Sequence, residues 1–248
     1  AIGGAPNPAV LSSPINGDWA FIGENLVWNS GGGNPSGYDV YFGTSATPPL
    51  VSDNQTATTY TPTLAPGTTY YWKVIPYNNF GPANWCPTWS FTTPGANQLA
   101  ESFEGAFPPP GWENQGNWSR NTQYFKHGTA SAYTAGTTTS PYVLSTPKVT
   151  ITASSTIRLS TMSSNSLGRM MVVYSSNRIN WYGIGGELFH TSPYTWYDRV
   201  IDLSSLAGND YYLGVRTGLQ SGNFFVDYCF GPDFVAEAPG TPTLGIPL

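Results

Sequence analysis

Hydrophobic and polar residues alternate over short stretches along the whole chain, and 22 prolines and 28 glycines interrupt these stretches at short intervals. A period of two is typical of strands that bury one face, whereas a helical surface repeats every 3.6 residues. In the clearest stretch, Tyr70, Trp72 and Val74 fall on one strand face. The pattern therefore predicts an all-β protein built from antiparallel strands.

The 248 residues are enough for two ordinary domains. Pro94-Gly95-Ala96-Asn97 is typical of a linker, so we predict a first domain over 1–95, a linker over 96–98 and a second domain over 99–236. Residues 237–248 are predicted to form an extended tail. The two cysteines, Cys86 and Cys229, fall in different predicted domains, and we expect two buried free thiols rather than a bridge.

Several motifs of the first segment occur in the order found in one family of β-sandwiches. Trp28 lies in the second predicted strand, 38–41 (Tyr-Asp-Val-Tyr) in the third, and 64–70 (Leu-Ala-Pro-Gly-Thr-Thr-Tyr) at a corner; 89–93 closes the series. These motifs resemble the fibronectin type III domains of bacterial secreted proteins. The resemblance implies a two-sheet sandwich in which the Tyr70 hydroxyl ties a loop down.

The second segment carries another set of motifs. Phe-Glu-Gly, Phe-Pro-Pro and Gly-Trp follow one another over 103–112, Ser-Thr-Pro-Lys lies at 145–148, and Val-Ile-Asp-Leu-Ser begins at Val200. This order resembles the cleaved-adhesin, or choice-of-anchor J, family of jelly-roll domains, which are MAM-like. The resemblance implies a second β-sandwich. The family's second acidic position in the last strand is Tyr228 here, which weakens any metal inference.

The tail repeats a feature of the head of the chain. Both contain Leu-x-x-Pro followed by Ile or Leu, at Leu11 and at Leu244. The tail therefore resembles the first strand of a further fibronectin-like domain. One hypothesis is that Leu244, Ile246 and Leu248 add to a neighbouring copy by strand exchange and build a head-to-tail filament.

Charged residues make up only 9% of the chain, with a formal charge of −5. Without a basic patch, nucleic acid and polybasic membrane attachment are excluded as functions. No run of about 18 apolar residues occurs, so no membrane insertion is predicted. The low charge, the Ser/Thr/Asn-rich composition and a start at Ala1-Ile2-Gly3-Gly4, which we expect to be processed, favour a secreted or extracellular protein of the cell surface.

Catalytic motifs are absent from the sequence. His127 and His190 lie outside any nucleophile or zinc motif, and both are expected to be surface or loop residues. The carboxylates show no spacing that selects a glycosidase pair. We therefore predict that the chain is not an enzyme and that it has no catalytic residues.

The jelly-roll resemblance implies one metal. In that family an early Phe-Glu segment and a late Asp approach each other and bind calcium, which prefers oxygen ligands. The matching positions are Glu101, Glu104 and Asp227. The alternative is that these side chains cap strand ends or accept backbone hydrogen bonds.

Dense aromatic clusters beside predicted loops are candidates for carbohydrate binding. They comprise Trp181 with Tyr182 and Tyr194 with Trp196. The alternative is that alternate members point into the core, as a period of two produces on its own.

Three functions fit these features. The first is a non-catalytic adhesion or structural module whose partner is an extracellular protein or glycan. The second is a self-assembling filament subunit joined through the tail. The third is a carbohydrate-binding module of a larger secreted enzyme.

Overall fold

The computed structural model describes residues 3–236, so the predicted exchange strand with Leu244, Ile246 and Leu248 lies outside the described residues. Regular structure in this range is β-strand apart from one short 3-10 segment, Ser204–Leu206, which confirms the all-β prediction. The chain divides into two compact units between Ala96 and Asn97. Gln98, in the predicted linker, already belongs to a strand. Residues 3–236 contain no helix with the length and apolar character that a bilayer crossing requires.

The first unit is a sandwich of two antiparallel sheets. One sheet has the order β1-β3-β6, and the other has the order β2-β9-β7-β4-β5, with β8 beside β7 and one parallel pair, β2 with β9. The strand bounds are β1 Val10–Ser13, β2 Asp18–Trp19, β3 Leu26–Asn29, β4 Gly37–Gly43, β5 Leu50–Gln55, β6 Thr59–Tyr60, β7 Thr69–Asn78, β8 Gly81–Pro82 and β9 Trp89–Thr92.

The core of this unit follows directly from alternation along its strands. Tyr70, Trp72 and Val74 of β7 all point into the core, as predicted, and Trp28 of β3 meets Trp72 with ring centroids 6.3 Å apart. The Tyr70 hydroxyl accepts a hydrogen bond from the Ala65 backbone N–H at 2.8 Å. Tyr70 therefore ties down the loop before β7, as expected.

The second unit is a larger two-sheet sandwich. Its first sheet has the order β12-β13-β20-β15-β18 with β10 beside β20, and its second sheet has the order β11-β14-β19-β16-β17. The strand bounds are β10 Gln98–Glu101, β11 Glu113–Gln115, β12 Ser119–Asn121, β13 Ser131–Gly136, β14 Val143–Thr150, β15 Thr156–Ser163, β16 Arg169–Ser175, β17 Tyr182–Phe189, β18 Tyr197–Asp202, β19 Asp210–Thr217 and β20 Gly222–Asp233.

The inner faces of these two sheets share one hydrophobic core. Phe224 and Val226 of β20 belong to it from one side, and Leu213 and Val215 of β19 belong to it from the other. The thiol of Cys229 is also part of this core. Both cysteines are free, but Cys86 is only half-buried, so the prediction of two buried thiols is wrong for that residue.

His190 is a loop residue, one of the two expected alternatives, but it is buried rather than at the surface. It follows β17 directly and is 1% exposed. Its Nδ1 lies 2.9 Å from the Gly168 carbonyl oxygen and its Nε2 lies 3.0 Å from the Thr161 hydroxyl. A polar side chain is stable inside a protein when its polar atoms have such partners, and the sequence shows neither partner.

Candidate binding site

The outer face of the five-stranded sheet in the second unit carries polar and aromatic side chains. Along β19, Leu213 and Val215 enter the core, so Tyr212, Gly214 and Arg216 point outward. The register continues this face onto the edge strand, because Glu113 and Gln115 of β11 pair with outward positions of β14. The outer face therefore gathers side chains from widely separated parts of the chain.

The loop over 176–181 brings further side chains to the same face. Asn177 Oδ1 accepts hydrogen bonds from the backbone N–H groups of Ile179 and Asn180, at 2.9 and 3.1 Å. The hydroxyl of buried Ser175 accepts from the Asn177 and Arg178 N–H groups. Arg178 has φ 60°, a left-handed conformation that is uncommon outside glycine. Local hydrogen bonds thus hold the loop in a conformation that directs the side chains of Arg178 and Trp181 to the outer face of the sheet.

A hydrogen-bonded chain links the loop to the edge strand. The Trp181 indole N–H donates to Gln115 Oε1 at 2.8 Å. The amide group of Gln115 donates to the Arg178 backbone carbonyl at 2.6 Å and to Glu113 Oε1 at 2.7 Å. Trp181 is half-buried, so its indole ring is fixed in place while part of the residue meets solvent.

Arg178 completes this arrangement. Its guanidinium lies 4.1 Å from the ring centroid of Tyr212 and 3.3 Å from Glu113 Oε2. Its Nη2 donates to the carbonyl oxygens of Gly111 and Thr146, at 2.8 and 2.7 Å. We name the set formed by Glu113, Gln115, Arg178, Trp181 and Tyr212 the outer-face cluster.

The four aromatic residues predicted for carbohydrate binding do not form one site. Only Trp181 belongs to the outer-face cluster. Tyr182 packs on Tyr174 with centroids 5.6 Å apart, although it is 57% exposed. Tyr194 stacks on Tyr124 at 5.0 Å, and Trp196 meets Phe225 at 6.5 Å. Tyr194 and Trp196 therefore belong to a second aromatic group, which lies against β20 of the other sheet.

Glu104, one of the predicted calcium ligands, satisfies backbone groups. Its Oε1 accepts from the N–H groups of Thr129 and Ala130, and its Oε2 accepts from the Thr129 hydroxyl at 2.7 Å. These bonds hold the pKa of Glu104 below its usual value, although burial alone raises it. Glu104 is thus surrounded by hydrogen-bond donors. This fits the alternative given above, in which the side chain accepts backbone hydrogen bonds, better than a role as a cation ligand.

Glu101 and Asp227 are the other two predicted calcium ligands. Burial is the largest influence on both and raises their pKa values, that of Asp227 to about 6. Asp227 Oδ2 accepts from the N–H groups of Lys126 and His127, which partly offsets the cost of burial. Residues 3–236 hold no group of three or more Asp, Glu, His or Cys side chains able to bind a metal. A calcium ion at these two carboxylates would need backbone carbonyl oxygens as further ligands.

Comparison with known proteins gives similarities of fold. No family model and no curated protein matches the chain. The K1 cleaved adhesin domain of Lys-gingipain from Porphyromonas gingivalis is 15% identical over 55% of this chain and 98% of that domain, with a TM-score of 0.46. A CBM22-1 xylan-binding domain from Paenibacillus barcinonensis is 14% identical over 56% and 95%, with a TM-score of 0.44. A structure of carbohydrate-binding modules from the β-sandwich superfamily is 16% identical over 94% and 100%, with a TM-score of 0.46. Similarity at this level carries no functional argument.

Sequence reasoning found Trp181 but missed the other four members of the outer-face cluster. Gln115 lies 66 residues from Trp181 in the chain, and the strand order β11-β14-β19-β16 of the second sheet brings them together. One usable signal existed: in the pair Tyr211-Tyr212, strand alternation requires one ring to face outward.

Proposed function

We propose that the second unit is a non-catalytic glycan-binding module of an extracellular adhesion or surface protein, and that a saccharide ring stacks on Trp181. The observation that supports this most strongly is the half-buried Trp181, whose indole ring is held by Gln115. A ring that is already fixed loses little conformational entropy when a ligand packs on it, so more of the contact energy remains for binding.

The neighbours of Trp181 suit the hydroxyl groups of a sugar. Glu113 supplies carboxylate acceptors on a side chain that is 41% exposed, and the Arg178 guanidinium lies beside it, 3.3 Å from Glu113 Oε2. Binding sites for small polar ligands combine an aromatic surface with a few fixed polar groups in this way. The cluster therefore has both parts of a saccharide site, the flat apolar surface and the directional donors and acceptors.

The test is a glycan array followed by titration calorimetry with wild type, Trp181→Ala and Trp196→Ala. Trp196 is the matched control, because it is also a half-buried tryptophan of the same unit but belongs to the second aromatic group. We expect Trp181→Ala to weaken binding at least tenfold, about 1.4 kcal/mol, and Trp196→Ala to change it little. No glycan bound by wild type, or equal loss in both variants, would overturn the proposal.

We further propose that the first unit belongs to the fibronectin type III class and acts as a spacer or adhesion module. The sheet orders β1-β3-β6 and β9-β7-β4-β5 and the bond from Ala65 to the Tyr70 hydroxyl support this. Strand exchange by the tail stays a prediction of the sequence. Polymers that form normally after deletion of 244–248 would contradict it.

A further inference from the structure

The outer face of the five-stranded sheet ends in a cavity of about 610 Å³ that is separate from the outer-face cluster. Arg169 and Glu187 line it from β16 and β17, and Arg216 lines it from β19. Leu167, Leu219 and Gln220 form its rim, and the two leucines are 77% and 60% exposed. The cavity thus combines two guanidinium groups with an open apolar rim.

Arg216 is a half-buried cation whose charge is not balanced within residues 3–236. Its Nη2 donates to the thioether sulfur of Met171 at 3.4 Å, and no carboxylate of the described residues pairs with it. A thioether is a weak acceptor, and a guanidinium has five N–H donors. Arg169 pairs with Glu187, the one carboxylate among the residues that line the cavity: its Nη1 lies 3.3 Å from Glu187 Oε2. Two cations therefore face one anion.

The charge of this face differs in sign from that of the chain. The outer face carries four of the nine Lys and Arg residues, against three acidic residues, Glu113, Glu187 and Asp210. The four cations are Lys148, Arg169, Arg178 and Arg216. Their balance is +1, whereas the whole chain is −5. A negative ligand is attracted to this face although the protein as a whole repels it.

We propose that the Arg169–Arg216 cavity binds the carboxylate of an acidic saccharide, a hexuronic or sialic acid residue; this inference rests on the proposed glycan-binding function. Guanidinium groups bind carboxylates through short charge-assisted hydrogen bonds, often two in parallel. A bound carboxylate supplies Arg216 with the partner that the described residues do not provide.

The spacing along β19 favours a saccharide over an isolated anion. Tyr212 of the outer-face cluster and Arg216 of the cavity are four residues apart on one strand, about 13 Å at the usual rise. Between them the outward position is Gly214, which is buried against Val143: an added Cβ would lie 2.9 Å from Val143 Cγ1. The proposed oligosaccharide passes above these buried positions, with one ring at Trp181 and its carboxylate at Arg216.

The experiment measures affinity for oligomers of galacturonate, mannuronate and glucuronate-containing glycans and for sialyllactose, each beside its carboxyl-reduced counterpart. The proteins are wild type, Arg216→Gln, Glu187→Gln and Lys73→Gln; Lys73→Gln removes the same charge from the first unit. We expect at least one acid to bind tenfold or more tightly than its reduced form. Arg216→Gln abolishes that preference, Lys73→Gln keeps it, and Glu187→Gln strengthens it severalfold because the competing carboxylate is gone.

Three outcomes overturn the inference. The first is that no acid binds more tightly than its reduced form. The second is a preference for the acid that survives in Arg216→Gln. The third is equal binding of poly-glutamate, which would assign the cavity to acidic peptides. If neutral glycans still bind and Trp181→Ala abolishes this, the proposed function stands and only the carboxylate inference fails. If no glycan of either kind binds, both fail.

Discussion

The indole N–H of Trp181 donates to Oε1 of Gln115 at 2.8 Å, across 66 residues of the chain. Because the Gln115 amide group also donates to the Arg178 carbonyl and to Glu113, the glutamine is fixed from three sides. Gln115 is therefore a positioning residue: it orients the ring on which a sugar is proposed to stack.

Replacement of Gln115 by leucine should weaken glycan binding three- to tenfold while the Trp181 ring stays present. The reason is entropic, because a ring without its hydrogen bond must be ordered by the ligand. Titration calorimetry measures the affinity, and near-ultraviolet circular dichroism reports the loss of a fixed indole environment. Gln123→Leu, in an exposed loop, serves as the control; an unchanged affinity in Gln115→Leu would refute the positioning role.

Arg178→Ala should lower the free energy of unfolding of the second unit by about 2 kcal/mol, because two backbone carbonyls lose a charge-assisted hydrogen bond. Urea unfolding measures the change. Arg169→Ala is the matched control: its side chain is 52% exposed and its ion pair with Glu187 is at the surface, so we expect a loss below about 1 kcal/mol. Equal losses in the two variants would contradict this account of the loop.

Burial lowers the pKa of His190, so the folded protein binds a proton at this site less readily than the unfolded chain does. The stabilisation associated with this neutral histidine is fully present above its pKa in the unfolded chain, about 6.5. It is lost as the pH falls through the lower pKa that His190 has in the folded protein. The difference in unfolding free energy between wild type and His190→Gln should therefore shift against wild type as the pH falls from about 8 to about 5. Comparing the two proteins cancels the opposite contribution of Asp227, whose raised pKa of about 6 favours the folded state toward acid. Leu188→Val, a core control, should lower stability equally at every pH. A slope that is the same in wild type and His190→Gln would exclude this histidine as its cause.

Tyr70→Phe should destabilise the first unit by about 1 kcal/mol, because the half-buried Ala65 N–H loses its acceptor. For a unit of this size that corresponds to a fall of about 4–8 °C in its melting temperature. Differential scanning calorimetry should show the shift in one transition only. Tyr71→Phe, on the opposite strand face, is the control and should leave the melting temperature within about 1 °C.

Calcium at Glu101 and Asp227 remains a proposal with a direct test. A bound ion would offset the cost of burying two carboxylates, so millimolar calcium should raise the melting temperature of the second unit and a chelator should reverse the rise. At a hundred times the dissociation constant, the gain is about 2.7 kcal/mol. Glu101→Gln should abolish the gain, whereas Glu104→Gln should keep it. Melting unchanged by calcium and by chelator would remove the proposal.

The local pattern was enough to predict strands and the inward residues of β7, because alternation along a strand is a property of neighbouring residues. It was not enough to place Tyr182 and Trp196, because which face is inward depends on the sheet that each strand joins. Arg178 was not predictable at all. Its left-handed backbone and its place over Tyr212 depend on Ser175, Asn177 and the pairing of two strands, none of which a local pattern encodes.

Strand β19 carries two independent sets of side chains, Leu213 and Val215 on one side and Tyr212 and Arg216 on the other. Substitutions in the second set do not replace a core residue, and the proposed carboxylate-binding residue Arg216 lies on that strand. Substitutions at Tyr212 and Arg216 can therefore change ligand contacts without replacing a core residue of β19. Changes in ligand recognition can thus be inherited without changes in stability, because different residues of β19 carry the two properties.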